Sequence, residues 1–173
     1  LVGHIDLTTL GGNSGNDCWG WTDPSSGKEY ALMGLNTGTS FIDISDLEFP
    51  RIVGFLPTHT TNSSWRDIKT YENYAFIVSE ASGHGMQVFD LTKLGEIAVG
   101  TSPVNFTEDA HYAGFGDAHN IVINDSQGYA YAVGTNTYNG GPHFVDISNP
   151  LNPTAAGGYG EDAYSHDAQV VTY

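Results

Sequence analysis

Short runs of aliphatic and aromatic residues, closed by glycine, asparagine, aspartate or serine, recur along the whole chain. YALMG from Tyr30, YAFIV from Tyr74 and YAYAVG from Tyr129 are near copies of one another. Each is followed by a second run that ends in aspartate and an aliphatic residue: FIDIS at Asp43, VFDLT at Asp90 and FVDIS at Asp146. β-branched and aromatic runs punctuated by turn residues are the pattern of antiparallel strands. Between WRDIKTY and YAFIVS stand only Glu72 and Asn73, and a Ser-Gly-His-Gly turn separates YAFIVS from MQVFDL. The next unit reads HNIVIN, YAYAVG, HFVDI and TAAGGY, again with Asp-Ser-Gln-Gly and Tyr-Asn-Gly-Gly-Pro turns between runs. No window spaces apolar residues as a helix would over three turns, and 22 glycines in 173 residues work against helices. Four strands per unit and a nearly all-β chain are expected.

Four-stranded units of roughly 40 to 50 residues match the size of β-propeller blades. The fold class predicted is therefore an all-β propeller segment, a single partial ring with blades at about 16–58, 65–104 and 118–160. Inner strands are expected near residues 17–21, 65–71, 118–123 and 166–171. By strand phase, LVGHI at the start (1–6) reads as an outer strand and 165–173 as an inner strand of a further blade or blades. Three blades leave two sheet faces and their edges to be covered. The partners implied are the remaining blades of a longer protein or, alternatively, other copies of the chain in a closed oligomer or a filament.

Composition narrows the partners further. Five Lys plus Arg against 20 Asp plus Glu give a formal charge of −15, which disfavours nucleic acid and anionic membrane surfaces. The hydrophobic fraction of 39% supports a packed core, and no apolar run has the length of a membrane span or the form of a signal peptide. The single cysteine, Cys18, reads as a buried thiol on an inner strand; Trp19, Trp21 and Trp65 read as core for the same reason. Three glycosylation sequons begin at Asn62, Asn105 and Asn124, all in expected loops.

The strings CWGWTDPSSGKEYALMGLNTGTSFIDIS, LPTHTTNSSWRDIKTYENYAFIVSEASGHGMQVFDL and FTEDAHYAGFGDAHNIVINDSQGYAYAVGTNT resemble the N-terminal region of choice-of-anchor B proteins, relatives of the LVIVD-repeat propellers. The resemblance spans essentially the full chain. It implies an exported β-propeller, extracellular or at the cell surface, in some cases held there by an anchor further along the chain. It implies no reaction.

Superposing the units places Asp17, Asp67, Asn120 and Asp167 at one position, preceded by Asn16, Arg66, His119 and His166. Inner strands line a propeller's axis, so these groups form a ring at one mouth of the channel. The plain reading is that they cap strands and bond neighbouring blades. The sharper one is a divalent cation site of Asp67, His119, His166 and Asp167, the carboxylates suiting calcium and the imidazoles zinc. A second group, Glu108, Asp109, His111 and Asp117, falls in a connection between units and reads first as a solvated acidic loop. Glu80, Ser82 and His84 in SEASGHG lack the elbow of a serine hydrolase, and His84 reads as a turn residue. The function expected is a non-catalytic scaffold or binding module, glycosylated and self-assembling; the alternative is a metal-dependent hydrolase at the channel mouth.

Overall fold

The computed structural model describes residues 2–162 and 164–172. Its strands, in chain order, are β1 (Gly15–Thr22), β2 (Glu29–Leu35), β3 (Gly38–Asp43), β4 (Arg51–Pro57), β5 (Arg66–Tyr71), β6 (Tyr74–Ser79), β7 (Met86–Asp90), β8 (Val104–Asn105), β9 (Ala110–Tyr112), β10 (Asn120–Asn124), β11 (Tyr129–Val133), β12 (His143–Asp146) and β13 (Thr154–Gly158). They form three antiparallel sheets, β1-β2-β3-β4, β5-β6-β7-β9 and β10-β11-β12-β13, with β8 added parallel to the edge of the first. The inner strand β5 touches both β1 and β10. The fold is that of a partial β-propeller with three blades.

The repeated aspartate closes each blade's third strand. Asp43, Asp90 and Asp146 accept hydrogen bonds from the backbone N–H two residues on, of Ser45 (3.1 Å), Thr92 (3.0 Å) and Ser148 (2.9 Å). The aliphatic residue between them donates its own N–H to the carbonyl just before or at the start of the second strand: Ile44 to Glu29, Leu91 to Asn73, Ile147 to Gly128. A carboxylate that satisfies a turn N–H fixes where the strand stops.

Blades pack face to face. Tyr30, Leu32, Phe41 and Val53 of the first blade meet Ala75, Ile77 and Phe89 of the second, with Phe41 stacked on Phe89 at 4.7 Å. The opposite face of the second blade sends Phe76, Val78 and Val88 against Ile121, Ala130 and Val145 of the third. Adjacent residues of β6 thus point to different interfaces, which is why YAFIVS shows no polar alternation: both faces of this strand are buried.

Three boundaries differ from the sequence reading. Residues 2–6 form no strand; Asp6 caps the short helix α1 (Leu7–Leu10), and Ile5 and Leu10 cover the free face of the first blade against Leu35 and Ile42. Residues 164–172 form no strand either, although Asn120 and Asn124 of β10 hold them through the His166 carbonyl and the Thr172 hydroxyl. Neither segment meets a backbone ladder that would make it a strand. Leu1, Ala163 and Tyr173 lie outside the described residues. The fourth strand of the second blade is β9, beyond the expected limit at 104; residues 104–105 belong instead to the first sheet, so the connection straps one blade to the next.

Side-chain placement on the inner strands also departs from expectation. Trp21 is buried, but Cys18 is exposed and Trp19 and Trp65 are 41% and 48% exposed. Cys18 and Trp19 are neighbours on β1 and so point to opposite faces, and neither face is fully covered at this level of the strand. Trp19 is steadied there by Thr70, which accepts its indole N–H at 3.0 Å, and by the Lys69 ammonium 4.5 Å above the ring. Of the sequon asparagines only Asn62 lies in a loop; Asn105 is exposed in β8, and half-buried Asn124 ends β10.

Candidate functional site

The channel-mouth groups form a relay between blades. Asp17 accepts the backbone N–H of Ile68 at 3.1 Å, and Asp67, one blade on, accepts that of Ile121 at 2.7 Å. Asn16 accepts the N–H of Arg66 at 2.9 Å. The aspartates therefore satisfy backbone donors on the next inner strand, where a continuous sheet would have supplied carbonyls. The positive charge they share is Lys69, whose ammonium lies 2.7 Å from Asp67 and 3.6 Å from Asp17. Burial pushes the Asp67 carboxyl up to about 6, with the facing Asp17 adding to the shift and Lys69 opposing it.

Of the expected cation ligands the two imidazoles come together, while Asp67 and Asp167 are engaged elsewhere. The rings of His119 and His166 approach to 4.1 Å, and His119 Nδ1 is 2.6 Å from the Glu80 carboxylate. Asp167 is exposed and accepts the N–H of its neighbour Ala168. Asp67 is committed to Ile121 and Lys69. Glu80, Ser82 and His84 do not act together: Glu80 bonds His119, Ser82 is exposed, and His84 is fully buried and bonded elsewhere.

A second cluster forms where the first two blades meet at the outer edge. After β4 the chain turns through Thr58, whose N–H bonds the Thr37 carbonyl, and presents His59. From the second blade, β9 brings His111, and Glu108 stands just before that strand. His59 Nδ1 lies 2.8 Å from Glu108 Oε1, and the His59 and His111 rings stack at 3.7 Å with planes 10° apart. One ligand atom from each of the three lies within 4.8 Å of the others. His59 and Glu108 border a cleft of about 250 Å³ that Leu56, Pro57, Gln87 and Phe106 also line.

The support beneath this cluster is buried and polar. His111 donates Nε2–H to the His84 carbonyl at 2.7 Å, and Gln87 donates Nε2–H to Glu108 Oε2 at 2.7 Å and to the Pro57 carbonyl at 3.0 Å. His84 gives Nδ1–H to the Gly85 carbonyl, leaving Nε2 to accept from Arg66 Nη1 at 3.0 Å. Arg66 has no exposed surface; its Nε–H bonds the Leu35 carbonyl. Burial lowers the His84 pKa to about 4, helped by the adjacent guanidinium, and lowers that of Arg66 to about 10. Gly85 is required here: its φ is +61°, and a side chain would strike the β9 backbone and His111.

Glu108 and Asp109 therefore do not belong to a solvated loop. Glu108 is tied to His59 and Gln87, and Asp109 holds the Asp90 N–H and the Lys93 ammonium. Asp117 is half-buried, its pKa raised by burial and by Glu80. Sequence reasoning missed His59 because it lies in a different unit from His111 and Glu108, and Gln87 because only the β7–β9 pairing sets it opposite His111. The threonine-rich stretch THTTNSS around His59 gave no periodic signal.

The LVIVD repeat family model matches residues 64–83 and 115–160. The first match covers β5, β6 and the turn after them, and the second covers the whole third blade, so LVIVD-repeat sequence falls on the second and third blades. No curated protein matches the chain.

Proposed function

We propose that this chain is part of a non-catalytic binding module built on an LVIVD propeller, exported to the cell surface or beyond, of the choice-of-anchor B kind. The observation that carries the reading is the open face of the third blade. Tyr129, Tyr131 and Phe144 stand on it, half-buried, with Tyr131 and Phe144 edge to face at 5.3 Å. They border a cleft of about 550 Å³ with Val171 and Thr172. The corresponding surface of the second blade is filled by its neighbour, and an aromatic face of the same make is suited to receive another blade, from the same protein or from a second copy.

The channel mouth supports a structural rather than a chemical role. Its aspartates are used by backbone N–H groups and Lys69, an arrangement that joins blades. The exported location rests on the resemblance, with exposed Asn62 and Asn105 as the favoured glycan acceptors. Among the described residues no helix is long and apolar enough to cross a membrane.

The test is association. Light scattering of the purified chain is expected to show concentration-dependent self-association, and Tyr131→Glu with Phe144→Glu to reduce it. Association that both substitutions leave unchanged would remove the third blade's face as the binding surface. Endoglycosidase treatment of chain made through a secretory route should release mass, most of it lost in the Asn62→Gln and Asn105→Gln variants.

A further inference from the structure

We propose that His59, Glu108 and His111 bind a divalent transition-metal ion of the zinc class in the cleft between the first two blades. Two imidazoles and one carboxylate are a donor set that suits zinc better than calcium, which takes oxygen ligands in larger number.

The hydrogen bonds fix which atoms are free to coordinate. A carbonyl can only accept, so the His84 carbonyl places a hydrogen on His111 Nε2 and leaves Nδ1 with its lone pair in the neutral ring. Histidine ligands are commonly oriented in this way, by a carbonyl on the nitrogen away from the metal. His59 Nδ1 and Glu108 Oε1 face each other at 2.8 Å across one proton. With bonds of about 2.0–2.1 Å, tetrahedral zinc holds its ligand atoms roughly 3.3 Å apart, so exchanging that proton for the ion opens this pair by only about half an ångström, while exposed His59 turns out of its stack with His111 so that both ring planes meet at the ion. His59 keeps its ring hydrogen on Nε2. Gln87 meanwhile anchors the second carboxylate oxygen.

Gln87 supplies the independent observation. Both partners of its Nε2 are acceptors, Pro57 O and Glu108 Oε2, so the amide cannot be reversed. Its Oε1 is consequently left as a buried acceptor with no partner among the described residues, on a side chain 2% exposed that lines the same cleft. Buried acceptors are rarely left unsatisfied. Three protein ligands leave the fourth position of a tetrahedral ion for water. The ion would also tie the loop carrying His59 to the outer strand of the next blade, adding a clip where the sheets share no ladder.

The experiment is zinc chloride titration of the chelator-stripped full chain by calorimetry, with cobalt(II) absorption to report coordination. One ion per chain is expected, with an intense four-coordinate cobalt spectrum and a higher melting temperature. His59→Ala and Glu108→Gln, at an exposed and a half-buried position, should each weaken binding at least tenfold and leave the metal-free melting temperature within a few degrees of wild type. His119→Ala and His166→Ala should bind as wild type does. Absence of saturable one-to-one binding would overturn the assignment. So would affinity unchanged in both His59→Ala and Glu108→Gln, or binding lost in the His119 and His166 variants instead.

Discussion

The second and third blades are built from the same repeat and differ in what lies beside them. In the second, residues 75–79 of β6 are all buried, because Ala75 and Ile77 meet the first blade while Phe76 and Val78 meet the third. In the third, β11 alternates: Ala130 and Ala132 are buried against the second blade, while Tyr129 and Tyr131 on the other side are half-exposed. The hydrophobic run is as long in both. Coverage of the second face is therefore supplied by the neighbour and not by the blade, and a repeat of this kind completes its core only by stacking.

The comparison breaks most visibly by truncation of one side chain in each blade. Phe76→Ala empties a site with no solvent access between two sheets and should cost about 3–5 kcal/mol in denaturant unfolding. Tyr131→Ala on the open face should cost about 1 kcal/mol, mostly the loss of its edge-to-face partner Phe144. Equal losses would mean that the third blade's second face is covered in solution.

The next largest effect is a pH dependence confined to the covered interface. Burial raises the Asp67 pKa to about 6 from its ordinary 3.8, so the folded chain holds this proton to higher pH than the unfolded chain does. The resulting stability is complete below pH 3.8 and is lost as pH rises through about 6. Asp67→Asn removes that dependence. The stability of wild type relative to the variant should fall by up to about 3 kcal/mol between those limits. Carboxyls such as Asp43 and Asp146, whose pKa values are lowered, act in the opposite direction but cancel in the difference. A flat difference would show that Asp67 titrates as an exposed carboxyl does.

A smaller contrast lies in the relay itself. Asp67→Ala strands the buried Ile121 N–H and should cost about 1–3 kcal/mol, whereas Asn120→Ala loses only a bond to the exposed 164–172 segment and should stay within about 0.5 kcal/mol. The finest reading is hydrogen exchange. Amides of β6 should exchange only by global unfolding, and those of β13, with residues 154–156 exposed, should exchange by local opening.

Much of this was legible in the chain. The near copies YALMG, YAFIV and YAYAVG fixed the second strand of every blade, and the repeated Asp-aliphatic-Ser/Thr marked a turn whose hydrogen bonds are now explicit. Superposition of the repeats also put Asp17, Asp67 and Asn120 at one level. What they do there was open, because a carboxylate beside an axis serves a cation or a backbone N–H equally well on paper. Lys69, two residues from Asp67 on the same face of β5, could have signalled the answer, since a strand's alternation places both side chains together.

The sequence by itself determined the repeat, the strand pattern and the turns, all of which rest on interactions among residues close in the chain. Tertiary structure alone decided three other things: that 2–6 and 164–172 are not strands, that Cys18 and Trp19 face solvent, and that His59 meets Glu108 and His111. The physical reason is common to all three. Strand formation needs a partner ladder, burial needs an opposing surface, and a cluster needs donors from separate units. Each depends on what stands across an interface rather than on what precedes or follows in the chain.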